Sequence, residues 1–453
     1  MLTEFPLSYL PRLAGRTAFL AVTQKWSPAR LAPFQDRRLR QLVRHAAAHV
    51  PYYRDLFRRI GLNAEDFRGR ADLARLPLLD KETVRARPDE FLADNAARFH
   101  PEMKQTSGST GTPLRFMVSA ESKIASAAAT LRAYAWAGYV PGMKVFSMKS
   151  YLRDWVSSRS MGGRSLDADT NKLTRDTGLV LWAEINRMKP AFFHGYPFFL
   201  IMLARIAQEA GIDYHRPRTI ISIAESLPVS VRRTLSEAYG GAKIFDYYSM
   251  HENAVLITEC RHGTKHVIND YAFHEFVDPA GQPVESGRGE IVGTSYYNYA
   301  MPLLRYRTRD FARLPSVKTP CLCGRPFPSV DVIEGRKEDF VVTPDGRILQ
   351  LFEEPMNEGR GIAASQFIQD APAHLTVNIL PSPDFDPACL AAVEKELRLR
   401  IGPTMQMDFR LVDELERRPG DSGKIPFLIS RVGHTFYTAQ DFSGDTEVHE
   451  RCS

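Results

Sequence analysis

Residues 105–113 read QTSGSTGTP, a run of hydroxyl side chains and two glycines that ends at a proline. Glycine lets main-chain N–H groups turn inward where a Cβ would block their approach, and Ser and Thr hydroxyls add donors that rotate toward an anion. The composition suits a phosphate-binding loop and an ordinary solvated loop equally well, because Ser, Thr and Gly are also common in linkers. No lysine follows the second glycine, so this is not a Walker-type nucleotide loop.

Short β-rich runs alternate with helical runs on the C-terminal side of this loop. The strand-like runs lie at residues 145–148, 218–223 and 243–248, and the helical runs at residues 178–188, 197–211 and 229–239. Such alternation predicts a mainly parallel sheet covered by helices, which is an α/β fold. Ligands collect at the carboxyl ends of strands in these sheets, so the loops that follow the strands are candidates for a shared cleft.

The length of 453 residues is too great for one compact core. The pattern of elements changes near residues 336–340, and the short βαβ-like runs beyond that point predict a small α+β domain. We therefore divide the chain into a large N-terminal domain at residues 1–337, a small C-terminal domain at residues 338–440 and a tail at residues 441–453.

The bulk composition argues against several classes of protein. An apolar content of 44% and a charged content of 25% are those of an ordinary globular protein. An acidic residue near the start and the lack of a long apolar run argue against a signal peptide and a membrane span, which predicts a cytoplasmic location. The net charge of +6 is scattered, so it supports an anionic substrate as well as it supports nucleic acid. Five cysteines, an odd and sparse number, argue against a disulfide framework.

Four Cys and His residues have spacings that suit a metal ion. Cys260 and His266 are separated by five residues, and Cys321 and Cys323 flank a single residue on a predicted tight turn. Thiolate sulfur and imidazole nitrogen are the ligands that tetrahedral Zn²⁺ prefers. The set predicts a zinc ion that holds two hairpins together, with free thiols as the alternative. Four protein ligands leave no open position, so the predicted role is structural.

Two further segments carry residues suited to nucleotide chemistry. Glu252 follows a strand-like run that ends near Tyr248, and a carboxylate there suits Mg²⁺ while the tyrosine offers a flat face for a base. Asp310 closes the run RYRTRD at residues 305–310, where alternation predicts three arginines on one face of a strand. Asp310 is a candidate acceptor for ribose hydroxyls. The alternatives are a polar loop end for Glu252 and a solvated strand with internal ion pairs for Asp310.

One lysine ends the glycine-containing run PGDSGK at residues 419–424. Lys424 is therefore a candidate mobile cation, with an ordinary solvated lysine as the alternative.

In chain order, TSGSTGTP, YYSMHE, LLRYRTRD, GRKED and a late GK resemble the motifs of the adenylate-forming (acyl-CoA synthetase) superfamily. Within it the chain is similar to phenylacetate-CoA ligase and the CapK-type proteins, and its Cys and His set looks like that of many CapK-type members. The resemblance implies a large N-terminal layered α/β domain and a small mobile α+β C-terminal domain joined near Glu338. It also implies that ATP activates a carboxylic acid as an acyl-adenylate, which then passes to a thiol, usually that of CoA.

The resemblance implies roles position by position. The loop that holds the β and γ phosphates consists of Thr106, Ser107, Gly108, Ser109, Thr110 and Gly111. Tyr248 packs on adenine, Glu252 binds Mg²⁺ and Asp310 binds the ribose hydroxyls. Arg336 lies at the ribose or α-phosphate, and Lys424 bridges the attacking carboxylate and the α-phosphate. Ser249 and Arg309 stand where the family usually has glycine, a departure expected to narrow the nucleotide pocket.

Four aromatic residues are candidates for lining the acid pocket: Trp136, Phe193, Tyr196 and Tyr247. They favour an aryl or hydrophobic acid, with core packing as the alternative role. The expected cofactors are ATP, Mg²⁺ and CoA with a structural Zn²⁺. The expected partners are a small carboxylic acid and CoA, without nucleic acid or membrane, and a homodimer is left open.

Two other functions stay open. One is an adenylating enzyme that passes the acyl or nucleotidyl group to an amine, a hydroxyl or a carrier protein. The other is a zinc-stapled basic protein that binds nucleic acid.

Overall fold

The computed structural model describes residues 6–105, 114–149, 156–224, 227, 229–334, 341–345, 348–349, 361–381, 385–416 and 428–432. The predicted phosphate loop at residues 106–111, Arg336, Lys424 and the predicted domain boundary lie outside these residues. The α-helices are α1 (Leu10–Thr23), α2 (Pro28–His49), α3 (Pro51–Arg59), α4 (Arg70–Leu73), α5 (Lys81–Ala86), α6 (Pro88–Phe91), α7 (Ala120–Trp136), α8 (Arg175–Met188), α9 (Pro197–Glu209), α10 (Val229–Ala238) and α11 (Leu390–Ile401).

The β-strands fall into five sheets. In chain order they are β1 (Glu102–Gln105), β2 (Arg115–Val118), β3 (Val145–Lys149), β4 (Ser157–Ser160), β5 (Ser165–Asp169), β6 (Phe192–Gly195), β7 (Thr219–Ile223), β8 (Lys243–Ser249), β9 (Leu256–Glu259), β10 (Lys265–Val267), β11 (Ala272–Val277), β12 (Gly287–Ser295), β13 (Tyr306–Leu314), β14 (Ser329–Val330), β15 (Val332–Glu334), β16 (Val341–Val342), β17 (Ile348–Leu349), β18 (Ile362–Ala371), β19 (His374–Pro381), β20 (Gln406–Leu411) and β21 (Leu428–Ser430).

The largest sheet has nine strands in the order β14-β10-β9-β8-β7-β6-β3-β5-β4. Strands β5, β3, β6, β7 and β8 are parallel, as the alternating pattern predicts. Strand β4 at one end and strands β9, β10 and β14 at the other pair antiparallel, so the sheet is mixed rather than mainly parallel. The reason is local, because tight turns reverse the chain after β8 and between β9 and β10 and leave no room for crossover helices.

The two faces of this sheet pack against different helices. Phe193 and Ile220 point into the core formed with α8, α9 and α10. Phe192 and Ile221, one residue away on the same strands, point into the core formed with the end of α7. Successive strand residues alternate between faces, so the buried runs of β6 and β7 are apolar on both sides.

A second sheet of four antiparallel strands has the order β11-β12-β13-β15 and lies beside the N-terminal helices. A buried ion pair joins the helices to it, since Arg132 of α7 donates from Nη2 to Oδ1 of Asp270 at 2.8 Å just before β11. Side-chain exposures of 4% and 0% mean that this pair is desolvated and held by its own hydrogen bonds.

The C-terminal part is an α+β unit, as predicted. Strands β18 and β19 are antiparallel, β20 and β21 add in parallel at the edges, and α11 covers one face. Within the described residues, no helix is both long and apolar enough to cross a membrane.

Candidate active site and metal cluster

Strand β13 of the second sheet contacts two side chains that come from β8 and from the turn after it. The Tyr306 hydroxyl donates to Oε1 of Glu252 at 2.9 Å, and the Tyr248 hydroxyl donates to Oδ2 of Asp310 at 2.9 Å. Glu252 lies in the turn after β8, and Tyr248 lies in β8 itself. The structure therefore brings four residues together in two pairs, whose members the sequence separates by 54 and 62 positions. They meet beyond the carboxyl end of parallel strands, where ligands collect in α/β sheets.

Glu252 and Tyr306 are both buried, with exposures of 5% and 1%. Burial, followed by the nearby Glu252 charge, raises the pKa of Tyr306 far above its usual value. The phenol therefore remains a hydrogen-bond donor, and its contact fixes one carboxylate oxygen of Glu252.

The three arginines of residues 305–309 do not share one strand face. Arg305 and Arg309 have left-handed φ angles of 51° and 63°, which break the alternation expected of a regular strand. Each pairs with an acid: Arg305 Nε lies 3.1 Å from Glu275, and Arg307 Nε lies 3.1 Å from Glu290. Arg309 pairs with Asp80, which precedes α5 but makes no side-chain cap there.

Arg309 is directed toward Asp80 and, at 4.0 Å, toward Glu82. The Arg309 side chain therefore forms its ion pairs with acidic residues at the start of α5. The arginine charges are neutralised within the protein, as the alternative based on internal ion pairs requires.

The turn that carries Glu252 is attached to α7. Asn253 has a φ of 57° and donates from Nδ2 to Ser122 Oγ at 3.2 Å. Asparagine tolerates this left-handed conformation better than most residues. Strand β2 leads directly into α7 and pairs with β1, with Gln105 opposite Arg115 in the register. The predicted phosphate loop lies between these two strands in the sequence. The predicted phosphate loop is therefore followed, through β2, by α7, the helix that contacts the Glu252 turn.

The predicted metal ligands converge. Ligand atoms of Cys260, His266, Cys321 and Cys323 all lie within 4.8 Å of one another. Sγ of Cys260 is 3.6 Å from Sγ of Cys321, and Sγ of Cys323 is 3.2 Å from Nε2 of His266. A disulfide would need about 2.05 Å, whereas a tetrahedron with metal–sulfur bonds of about 2.3 Å places two sulfurs about 3.8 Å apart.

Main-chain groups prepare these side chains to bind a metal. The amides of His262 and Cys323 lie 3.4 Å from the sulfurs of Cys260 and Cys321, where N–H donors favour thiolate charge. Nδ1 of His266 faces the Phe327 carbonyl at 3.3 Å, which directs the lone pair of Nε2 toward the cluster. Burial lowers the pKa of His266, so the imidazole is neutral.

The four aromatic candidates for the acid pocket do not come together. Trp136 lies against the metal cluster, with its ring 5.9 Å from that of His266. Phe193 is fully buried in the core under α8, α9 and α10. Tyr247 points to the opposite face of the sheet, where its hydroxyl is 2.8 Å from Thr130 Oγ1. Tyr196 follows β6 and is half-buried. The physical reason is strand alternation, which sends Phe193 and Tyr247 to opposite faces.

Sequence reasoning did not single out Tyr306, and it placed His194 in a loop of residues 194–197 with cleft-lining polar side chains, whereas the structure has it in β6. Tyr306 lies inside the arginine run. Its aromatic ring among charged residues is the only sequence feature that could have indicated a buried position. His194 follows Phe193 in a buried strand and faces Ser147 at 3.1 Å. No spacing pattern marks either residue, because their partners come from distant segments.

Comparison with known proteins defines the class. The AMP-binding enzyme family matches residues 103–297, and the CapK C-terminal domain matches residues 341–431. The chain is thus an AMP-forming ligase of the adenylate-forming superfamily. Within that superfamily it belongs to the phenylacetate-CoA ligase and CapK-like family.

Individual relatives span most of the chain. It is 28% identical to the phenylacetate-coenzyme A ligase of Thermus thermophilus, over 69% of this chain and 72% of the relative. It is 21% identical to the protein CapK of Staphylococcus aureus, over 89% of this chain and 90% of the relative. A crystal structure of 2-hydroxyisobutyryl-CoA ligase in complex with 2-HIB-AMP and CoA has the same fold, with a TM-score of 0.61, 22% identity and coverage of 90% of this chain and 91% of that one.

Proposed function

We propose that the protein uses ATP to activate an aryl or hydrophobic carboxylic acid as an acyl-adenylate and then transfers the acyl group to CoA. The observation that carries this proposal is the pair of contacts from β13, in which Tyr306 holds Glu252 and Asp310 meets Tyr248. These residues give one edge of the sheet a carboxylate for Mg²⁺, a ring for adenine and an acceptor for ribose.

The attack of a carboxylate on a phosphate brings two anions together, so cations near the developing charge supply most of the catalysis. Glu252 would hold Mg²⁺ against the phosphates, and the hydroxyls of residues 106–110 would bind the β and γ phosphates. Lys424 would bridge the carboxylate and the α-phosphate, with Arg336 at the ribose. The small domain beyond residue 337 would deliver Lys424, and this boundary lies between the two matched family ranges.

The proposal includes a structural Zn²⁺ held by Cys260, His266, Cys321 and Cys323. Support comes from the closeness of the four ligand atoms, which lie within 4.8 Å of one another, and from the main-chain donors to two of the sulfurs. Bound there, the metal would tie the turn between β9 and β10 to the loop before β14. It would take no part in the reaction, because the four protein ligands complete its coordination.

An assay of pyrophosphate release over a panel of carboxylic acids, with and without CoA, tests the proposal. We expect acid-dependent release and a CoA thioester with at least one aryl or hydrophobic acid. Release without a thioester would instead favour transfer to an amine, a hydroxyl or a carrier protein, an alternative supported by the CapK C-terminal match. Absence of acid-dependent release, together with salt-sensitive nucleic-acid binding, would contradict both functions.

A further inference from the structure

A line of polar side chains lies between α7 and the large sheet. Ser122, Thr130 and Tyr134 are polar residues of this alanine-rich helix, and each contacts the sheet or the turn after β8. Ser122 contacts Asn253 in the Glu252 turn at 3.2 Å, and Thr130 contacts the Tyr247 hydroxyl at 2.8 Å. We call this line the polar seam. It leads from the proposed Mg²⁺ carboxylate into the protein.

The inner end of the polar seam is at His194 of β6. Its ring is 5.5 Å from that of Tyr134, which is itself 6.1 Å from Tyr247. Strand register places His194 on the same face of the sheet as Tyr247, because β6, β7 and β8 are parallel and in step. The rings of Tyr134, Tyr247 and His194 therefore lie close together between α7 and this face of the sheet.

His194 has an unsatisfied ring nitrogen. It is 7% exposed, Nδ1 lies 3.1 Å from Ser147 Oγ, and within the described part of the chain Nε2 has no hydrogen-bond partner. Burial, with the charge of Lys149 as a second cause, holds the pKa of His194 well below its usual value, so the ring is neutral. Nε2 is not among the fully buried side-chain atoms that lack a partner, so solvent reaches it. A ligand that displaces this solvent must supply a hydrogen-bond partner, because a buried polar atom without one is costly.

We propose that His194 determines substrate specificity and that the acid carries a neutral hydrogen-bonding group, a hydroxyl, carbonyl or amide, remote from its carboxylate. Nε2 binds that group, while Tyr134 and Tyr247 flank the apolar part of the acid. The Ser147 hydroxyl can donate to Nδ1 or accept from it, so Nε2 can serve as donor or acceptor. This inference rests on the proposed function and narrows its substrate class.

The test compares matched acids: phenylacetate with 4-hydroxyphenylacetate, benzoate with 4-hydroxybenzoate, and hexanoate with 6-hydroxyhexanoate. The ratio of kcat/KM within each pair is measured by pyrophosphate release. We expect the wild type to favour the hydroxylated member of at least one pair, and His194→Leu to lower that ratio by about 10- to 100-fold through loss of one buried hydrogen bond. His194→Gln, which keeps a polar group, should retain more of the ratio.

Ile220→Val is the matched control, since it alters the core on the opposite face of a neighbouring strand. It should leave the ratio unchanged, and KM for ATP should remain within about twofold in every variant, because the polar seam is not proposed to bind nucleotide. A folded His194→Leu protein with the wild-type ratio would overturn the inference. A wild-type preference for the unsubstituted member of every pair would also overturn it.

Nitrogen NMR of the His194 imidazole gives a second measurement that does not depend on a variant. Addition of the preferred hydroxylated acid should shift the Nε2 resonance, and the unsubstituted acid should not; equal shifts would overturn the inference. Pyrophosphate release with any acid supports the proposed function whatever the ratio. Release with none of the acids would reject the proposed function, and this inference with it.

Discussion

Replacement of Tyr306 by phenylalanine tests the role of β13 most directly. The change removes one hydroxyl, which donates to Oε1 of Glu252 at 2.9 Å in a site where both side chains are at least 95% buried. A hydrogen bond to a charged group contributes about 1.5–3 kcal/mol. Loss of a group that orients a metal ligand typically weakens metal binding by about 10- to 100-fold. We expect Tyr306→Phe to raise the Mg²⁺ concentration needed for ATP binding by a factor in that range.

The assay is the Kd of ATP, measured by calorimetry at increasing Mg²⁺, which needs no knowledge of the acid. Tyr239→Phe is the matched control, because its buried hydroxyl donates to the Leu200 carbonyl at 2.7 Å in the core of α9 and α10. The control should lose a similar amount of stability while its Mg²⁺ midpoint remains that of the wild type. A Tyr306→Phe protein with an unchanged Mg²⁺ midpoint would refute the reasoning that Tyr306 orients a magnesium ligand.

Three further predictions concern separate parts of the chain. Lys424→Ala should slow acyl-adenylate formation by about 100-fold or more while ATP affinity is largely kept, and rapid-quench measurement of the adenylate would reject this role if the rate were normal. Arg309→Ala should be less stable in urea than Arg309→Gly by about 1 kcal/mol, because only glycine adopts the φ of 63° without strain; the reverse order would argue against that conformation. The purified protein should contain one Zn²⁺ per chain by mass spectrometry, Cys321→Ser should lose it and lower Tm, and metal-free wild type with an unchanged Tm would contradict the zinc site.

Much of the α/β core followed from local patterns. The alternation of apolar runs with helical periodicity predicts β3, β7 and β8 and helices α8 to α10, because a buried strand and an amphipathic helix each have a characteristic repeat. It does not predict β6, whose four residues are too short a run to show a period. The C-terminal α+β unit follows from the same kind of pattern. The antiparallel additions at both ends of the large sheet did not, because tight turns decide them and a turn leaves a weak periodic signal.

In the candidate site, too, the sequence indicated some residues, and only the tertiary structure showed the contacts of others. Residue types and motif order alone indicated Glu252, Asp310, Tyr248 and the Cys and His set, because a carboxylate, a ring or a thiolate carries its chemistry wherever it lies. Tertiary structure alone decided that the arginines beside Asp310 are neutralised by acids from other segments, and that Tyr306 orients Glu252. The tertiary structure also places Phe193 in the core and His194 beside the polar seam. The physical reason is that strand facing and long-range partners depend on backbone register and φ angles, which a linear spacing of residues does not specify.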